Sequence, residues 1–220
     1  MSSFGNFAIG MHSIVLAQEV GPALSAAMEQ RTEAVRMARE GNFAQALQIM
    51  ENAMGSTGDT PNLSYDYVVM LSWSGKHAAA IKSFEEFRVS QAVPDYVLPE
   101  VAASYRFIGK YNKSMQQYSK YLALHPGDHT AIKGIIYCYL DNGKTEKALN
   151  FISRLEKEHP DQTLMLKSLY ADILFQKGDI EQALQFYSEA FRDNPDDTDA
   201  ARYKYYIWIY TKLNPSFANI

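Results

Sequence analysis

Few residues of this 220-residue chain have the types and spacing that catalysis or metal binding would need. His125 and His129 stand four positions apart, but Pro126 and Gly127 separate them, so they do not share a helical face as a pair of metal ligands would. The single cysteine, Cys138, fits a buried small hydrophobic residue better than a reactive thiol. The motifs of serine hydrolases, P-loop proteins and dinucleotide-binding enzymes are absent from the sequence. The sequence therefore predicts a protein that is not an enzyme, with no catalytic residue, no cofactor and no metal site.

Binding is the chemistry that the remaining aromatic and charged residues favour. The candidate set consists of rings that could stack on a ligand and of charged groups that could hold its polar atoms: Tyr65, Trp73, Tyr96, Arg106, Phe107, Lys133, Tyr137, Asp141 and Asp172. An extended peptide or a helix of a partner protein could use the tyrosines, the tryptophan and the arginine as anchors. A sugar chain could instead stack on Tyr65, Trp73 and Tyr137, with Asp141 and Asp172 holding hydroxyl or amine groups. For any one aromatic residue, packing between neighbouring helices is the alternative.

A repeat of 34 residues indicates the elements that would position these side chains. Glycine recurs at this interval, and once after 35 residues, at Gly41, Gly75, Gly109, Gly143 and Gly178. Five positions after each glycine stands a small residue: Ala46, Ala80, Ser114, Ala148 and Ala183. Four positions later stands a bulky one: Met50, Phe84, Tyr118, Ile152 and Tyr187. The glycine suits a tight turn between two helices, the small residue lets the helices approach closely, and the bulky residue fills the space between units. Proline is predicted to end the second helix of the last three units, at Pro126, Pro160 and Pro195.

This pattern is identified as that of the tetratricopeptide repeat (TPR) family. It implies an all-α fold, a TPR α-solenoid in which antiparallel helix pairs form a right-handed superhelix of about five repeats plus a terminal helix. The predicted repeats are 27–60, 61–94, 95–128, 129–162 and 163–197, followed by a final helix at 198–213. Because each unit buries its apolar face only by stacking on its neighbours, residues 21–220 are predicted to form one continuous solenoid. In this family the first helix of each repeat lines the concave surface, where the candidate residues would then lie.

The two ends of the chain depart from the repeat. Residues 1–20 precede Gly21-Pro22, and their apolar run 7–17 (FAIGMHSIVLA) ends with Val15 and Ala17 at the −3 and −1 positions of a small-residue cleavage site. They are predicted to be the remnant of a secretory signal, with an N-terminal helix or a disordered arm as the alternative. The first repeat helix is then expected to begin at about Ala23. The final helix is apolar on all sides, so we expect further chain or a partner to cover it.

Composition narrows the choice of partners. The chain carries 21 Lys and Arg against 25 Asp and Glu, a formal net charge of −4, and has no basic stripe. Nucleic acid is therefore not expected as the main partner. No run approaches the roughly 20 apolar residues of a transmembrane helix.

A narrower resemblance appears in the atypical parts of the repeats. The segments SYDYVVMLSWSGKHAAAIKSFEEF, VPDYVLPEVAASYRFIGKYNKSMQQYSKYLALHPGD and DAARYKYYIWIYTKLNPSFA follow one another in this order. Together they resemble the periplasmic N-terminal region of the outer-membrane exporters of poly-β-1,6-N-acetylglucosamine, in which a secretion signal and helical repeats precede a C-terminal β-barrel. The resemblance implies a periplasmic scaffold that docks the polysaccharide deacetylase and guides the partly deacetylated polymer. It transfers no individual site residue.

Two other functions are compatible with the repeats. One is a generic, cytoplasmic TPR adaptor that binds peptide or protein segments. A clamp for acidic chaperone tails would need a patch of Lys and Arg, and the predicted groove offers only Arg106 and Lys133. The other is the helper repeat region of a larger glycosyl- or peptidyl-transferase whose catalytic residues lie elsewhere.

Overall fold

The computed structural model describes residues 5–58, 60–158, 163–193 and 200–213. These residues contain eleven helices and no strand. The helices are α1 (Gly5–Arg39), α2 (Phe43–Thr57), α3 (Pro61–Trp73), α4 (His77–Phe87), α5 (Val97–Phe107), α6 (Tyr111–Leu124), α7 (His129–Asp141), α8 (Thr145–Glu158), α9 (Thr163–Lys177), α10 (Ile180–Asp193) and α11 (Ala200–Leu213). The predicted all-α fold is confirmed.

The helices form two compact units, unit 1 up to Ile108 and unit 2 from Gly109 onward. In unit 1, consecutive helices α1 to α5 pack on one another, and α3 also contacts α1 and α5. In unit 2, consecutive pairs pack in the same way and α7 contacts α9. The division falls inside the predicted repeat 95–128, and the single continuous solenoid stays a prediction.

Glycine turns join the two helices of a repeat, as the 34-residue period predicted. All five repeat glycines have a positive φ, between 65° and 93°. At Gly143, the glycine N–H donates to the Leu140 carbonyl (2.9 Å) and the Lys144 N–H donates to the Tyr139 carbonyl (2.8 Å). These two bonds close the end of α7 in the Schellman arrangement, which needs a left-handed residue at this point.

The small and bulky residues of the repeat pattern form the core. All ten are buried, and none of them exposes more than 4% of its surface. Helices such as α8 and α10 bury one face, whereas α3 buries residues on nearly all of its circumference. The difference follows from the contacts, because α3 packs against α1, α2, α4 and α5.

The prediction that the first repeat helix begins at about Ala23 was wrong. Helix α1 runs from Gly5 to Arg39 and continues through Pro22. Proline removes one backbone hydrogen bond from a helix, but the turns on either side can carry the helix past it. Residues 1–4 lie outside the described residues, and the signal remnant at 1–20 stays a prediction.

Helix α6 ends at Leu124, two residues before Pro126. This agrees with the predicted role of that proline. Pro160 and Pro195, which were given the same role, lie outside the described residues. In the described part of the chain, none of the helices combines the length and the apolar character needed to cross a membrane.

Candidate ligand-binding groove

A groove of about 950 Å³ in unit 1 collects side chains from the first helices of successive repeats. We call it the unit 1 groove. Its lining residues are Arg31, Thr32, Val35, Arg36 and Arg39 of α1, Glu40 directly after α1, Asp66, Val69, Met70 and Trp73 of α3, Tyr96, and Glu100 of α5. Within each helix these residues recur at intervals of three and four positions, which places them on one helical face.

Asp66 organises one side of the groove. The residue is only 8% exposed. Its carboxylate forms an ion pair with Arg31 (Nε to Oδ2, 2.8 Å) and accepts a hydrogen bond from the Tyr96 hydroxyl (2.7 Å). Burial and the bond to Asp66 raise the pKa of Tyr96, so the phenol stays protonated and keeps donating. One carboxylate of α3 thus connects α1 with the segment that leads into α5.

Trp73 supplies an accessible flat ring on the same groove. The side chain is 41% exposed, at the last position of α3. Glu100 of α5 lines the groove together with it. Burial raises the pKa of the Glu100 carboxyl, and the interaction with the Trp73 side chain offsets part of that rise. The ring thus has a carboxyl group as a neighbour while one part of it faces the solvent.

Arginine and glutamate pairs mark the α1 side of the groove. Arg36 contacts Glu33 at 2.6 Å and Glu40 at 2.5 Å. These pairs are solvent-exposed, so water and salt screen them and they contribute little to stability. They do place charges of both signs beside the aromatic rings, so the groove offers both donors and acceptors to a ligand.

Tyr65 was predicted to line the groove, and the structure corrects this prediction. The residue is completely buried. Its hydroxyl donates to the Gln91 carbonyl (3.2 Å) and its ring packs near Phe84 and Phe87. A ring in this position cannot stack on a ligand, because α3 turns it toward its partner helix α4. Asp66, the next residue along α3, lines the groove instead.

Arg106 and Phe107 do not line the unit 1 groove either. The Arg106 guanidinium lies over the Phe107 ring (4.9 Å), and His77 stacks on the same ring (4.4 Å between centroids, 5° between planes). This cluster involves the end of α5 and the start of α4. Trp73 and Tyr96 are the two predicted unit 1 residues that the structure brings together.

A smaller pocket of about 350 Å³ lies in unit 2. We call it the tyrosine pocket. Its lining residues are Tyr137, Leu140, Asp172, Phe175, Gln176, Tyr187 and Tyr206. It brings the predicted residues Tyr137 and Asp172 together, with a hydrogen bond of 2.8 Å from the Tyr137 hydroxyl to the Asp172 carboxylate. Lys133 lies one turn earlier, with its Nζ 5.8 Å from the Tyr137 ring, and Asp141 is exposed without lining the pocket.

Comparison with known proteins identifies the family. Residues 35–206 match the family profile described as tetratricopeptide repeat. The chain belongs to the tetratricopeptide repeat family.

Among curated proteins, the TPR chain is similar to the poly-beta-1,6-N-acetyl-D-glucosamine export proteins of Escherichia coli K12 and O157:H7. In each case 26% of the residues are identical over 152 residues, which cover 68% of this chain and 18% of the relative. The chain thus spans about a fifth of the length of these relatives.

Solved TPR structures share the fold. MamA (residues 41 to the end) of Desulfovibrio magneticus RS-1 superimposes with a TM-score of 0.62 at 16% identity, over 78% of this chain and 97% of that one. A TPR protein from Parabacteroides merdae gives a TM-score of 0.61 at 14% identity, over 86% and 80%. A thermophilic TPR protein from Thermus thermophilus gives 0.60 at 16% identity, over 83% and 99%. At these identities the likeness concerns the fold alone.

Several site residues were missed from the sequence. Arg31, Asp66 and Glu100 contribute charges to the unit 1 groove without having been predicted there. One signal was available on α3, where Asp66, Val69, Met70 and Trp73 follow an i, i+3, i+4, i+7 spacing. Because Asp66 is a polar residue within this otherwise apolar row, it indicates that this face of α3 borders a groove.

Proposed function

We propose that this chain is part of an exopolysaccharide export protein of the periplasm, where it acts as a non-catalytic scaffold for poly-N-acetylglucosamine export. The observation that carries the proposal is the similarity to the export proteins of E. coli over 152 residues, which are 68% of this chain. In this role the repeats dock a partner protein, a periplasmic polysaccharide deacetylase, and guide the polymer. In this role the protein is associated with the outer membrane.

The unit 1 groove has the chemistry that such a polymer needs. Trp73 and Tyr96 present partly exposed rings, and the flat, apolar faces of pyranose sugars stack on aromatic rings. Asp66 and Glu100 lie beside these rings and can accept hydrogen bonds from hydroxyl groups or from the ammonium groups of deacetylated residues. A groove that is open to solvent also lets a long chain pass without burying its ends.

The two tryptophans allow a direct test of polymer binding. Trp73 lines the unit 1 groove and Trp208 lies on α11 in unit 2, so Trp208→Phe leaves Trp73 as the only tryptophan reporter. Partly deacetylated β-1,6-glucosamine oligomers should change its emission and bind with a measurable Kd. Trp73→Ala removes this reporter, so the affinity of that variant is measured by isothermal titration calorimetry beside the wild type. It should bind the oligomers about tenfold or more weakly, because a stacking aromatic contact contributes roughly 1–3 kcal/mol. Trp208→Ala is the matched control and should leave the affinity unchanged.

Partner docking and location are tested separately. The purified chain should retain a purified periplasmic polysaccharide deacetylase from the same organism in a pulldown. The full-length protein should fractionate with the cell envelope. Failure to bind either the oligomers or the deacetylase, together with recovery in the cytosol, would contradict the proposal. That combined result would favour the generic adaptor that binds peptide segments.

A further inference from the structure

A pocket of about 490 Å³ in unit 2 is lined by residues of two repeat turns, the one before α6 and the one before α8. We call it the lysine pocket. Its lining residues are Gly109, Lys110, Tyr111, Asn112, Lys113, Asn142 and Lys144. Three of them are lysines, and no described lining residue is a carboxylate. The whole chain has a formal net charge of −4, so the pocket has the opposite sign to the molecule that carries it.

The repeat turn itself does not require a lysine. The residue that follows the repeat glycine is Asn42 in the first repeat and Asp179 in the last, and in the other three it is Lys76, Lys110 or Lys144. A helix begins directly after each of these residues, whatever their charge. The side chains of Lys76 and Lys110 form no capping hydrogen bond with the helix that follows. The turn and the helix start therefore leave the ammonium groups unexplained.

Lys110 and Lys144 carry exposed charges, and neither forms an ion pair with a described residue. Glu146, the acidic residue in the first turn of α8, instead contacts Lys177 of α9 at 4.0 Å. Lys113 also lines the pocket, but it has an interaction within the chain, so Lys110 and Lys144 are the two cations to which the site is assigned.

The donors of the pocket favour an anionic ligand rich in acceptors. Each lysine offers three N–H donors and no acceptor, and the Asn112 and Asn142 amides add further donors. Asp141 precedes Asn142 in the sequence, but it does not line the pocket and has an interaction of its own. A carboxylate ligand would therefore meet donors on both turns and no lining carboxylate of the described chain.

The composition of the lining separates the possible anions. Tyr111 is its one aromatic residue among those described and is half-buried, so the pocket offers no open ring on which a nucleic-acid base could stack. No exposed apolar side chain lines it that could enter a lipid layer. Arginine, whose planar fork matches a phosphate, is also missing from the described lining. Point charges on lysines and amide donors suit the carboxylates of a protein segment.

We propose that the lysine pocket docks an acidic segment of a partner protein, with aspartate or glutamate side chains beside Lys110 and Lys144. Charge complementarity supports this partner. Exposed ion pairs are screened by water and salt, so the segment should bind weakly and in a salt-dependent way. The site is separate from the unit 1 groove, and the inference goes beyond the export function and does not depend on it.

Model peptides test the charge requirement. The purified chain is titrated into a fluorescein-labelled peptide of six glutamates, and into the same peptide with six glutamines, with fluorescence anisotropy as the readout. The glutamate peptide should bind at least about tenfold more tightly at low salt. Its affinity should fall several-fold when sodium chloride is raised to about 0.15 M, because the Debye length then shrinks to about 8 Å. Equal binding of the two peptides, or binding that salt does not weaken, would overturn the proposal.

Matched lysine variants locate the binding. Lys110→Gln and Lys144→Gln each remove one exposed charge, so both should fold like the wild type by circular dichroism. Each should weaken binding of the glutamate peptide several-fold, and the double variant about tenfold or more. Lys157→Gln removes the same charge from an exposed position near the other end of α8 and should leave the affinity unchanged. A control that weakens binding as much as Lys144→Gln would show general attraction to a cationic surface and contradict the assigned site.

Other anions test the choice of a protein segment. An oligothymidylate with six phosphates and vesicles of phosphatidylglycerol are offered to the same chain and to the double variant. Binding of either one more tightly than the glutamate peptide, and its loss in the double variant, would refute a protein partner. Peptide binding that requires both lysines supports the lysine pocket even where the oligomers and the deacetylase do not bind and the export function fails.

Discussion

Asp66 shows how one residue can set the geometry of a binding surface. Its carboxylate is the shared partner of Arg31 and Tyr96, which lie 35 and 30 positions away from it in the sequence. The pair with Arg31 is only partly buried, so solvent screening reduces its contribution. Losing the carboxylate costs more because Arg31 and the partly buried hydroxyl of Tyr96 then lack their common acceptor.

Replacing Asp66 by alanine should therefore destabilise unit 1. We expect a loss of about 1–3 kcal/mol in the free energy of unfolding, measured by urea denaturation with circular dichroism. Glu40→Ala is the control, because it removes only an exposed pair with Arg36 and should leave the stability nearly unchanged. A cost for Asp66→Ala no larger than that of the control would show that the network does not stabilise the unit.

The raised pKa of Glu100 predicts how the stability of the folded chain changes with pH. Burial raises its pKa in the folded chain above the usual value of 4.5, so the protonated form is the one that folding favours. The contribution of this group to stability is present below pH 4.5 and is lost as the pH rises through the folded-state pKa. At neutral pH the ionised side chain therefore opposes folding.

Replacing Glu100 by glutamine should raise the urea midpoint at pH 7, because the amide carries no charge to desolvate. The gain should shrink as the pH falls toward 4.5, where the wild-type carboxyl is increasingly protonated. Glu86→Gln, at an exposed position of α4, should show neither effect. A gain that grew on acidification would contradict the assigned direction of the pKa shift.

At the scale of the helices, close approach and turn geometry decide which substitutions are tolerated. Gly134 of α7 is the described glycine position where a neighbouring helix approaches the backbone most closely. A Cβ added there would lie 2.2 Å, 2.4 Å and 2.7 Å from three ring atoms of Tyr118 on α6. Tyr118 is itself one of the buried bulky residues of the repeat pattern, so its ring has little room to move. The contact is the reason that α6 and α7 can pack so closely.

Gly134→Ala should thus destabilise unit 2 by about 1–3 kcal/mol, the usual cost of overpacking a core. Gly55→Ala is a matched control on α2, since a Cβ there meets no atom within 4 Å and the backbone is helical. That substitution should be neutral or stabilising by up to about 1 kcal/mol, because alanine favours the helix over glycine. Thermal unfolding of both variants measures the difference. Equal melting temperatures would mean that Tyr118 moves aside without cost.

The turn between α7 and α8 makes a separate prediction. Gly143 has a φ of 65° with open space around its Cα, so a side chain there is disfavoured by the backbone and not by a neighbour. Gly143→Ala should cost about 1–2 kcal/mol of unfolding free energy. Gly143→Asn should cost less, since asparagine tolerates the left-handed region better. An alanine variant as stable as the wild type would contradict this account of the turn.

At the scale of the whole molecule, the two units have separate cores. One cluster of buried apolar residues runs from Ala27 to Tyr105 in unit 1. Two further clusters, around Ile136 and around Leu184, belong to unit 2. Helix α11 adds Tyr206 and Tyr210 to the last cluster but leaves Tyr205 and Trp208 more than half exposed. Cover for that exposed face by further chain or by a partner stays a prediction.

Separate cores predict separate responses to mutation. With Trp208→Phe the fluorescence of Trp73 reports on unit 1, and with Trp73→Phe that of Trp208 reports on unit 2. In a repeat protein, stability is the sum of the intrinsic stability of each repeat and its coupling to its neighbours. Gly134→Ala should therefore lower the urea midpoint reported by Trp208 more than that reported by Trp73. Equal shifts of both reporters would indicate one fully cooperative array, as the continuous solenoid predicts.

The sequence by itself determined the helix pairs, their glycine turns and the buried small and bulky residues. These features depend on residues close together in the chain, and a period of 34 positions repeats the same local requirements several times. Only the tertiary structure decided which side chains face the groove. Neighbouring positions on a helix differ by about 100° in direction, so an error of one position exchanges Asp66 for the buried Tyr65. The Arg31–Asp66–Tyr96 and Tyr137–Asp172–Tyr187 networks join different helices, and their geometry depends on how those helices pack.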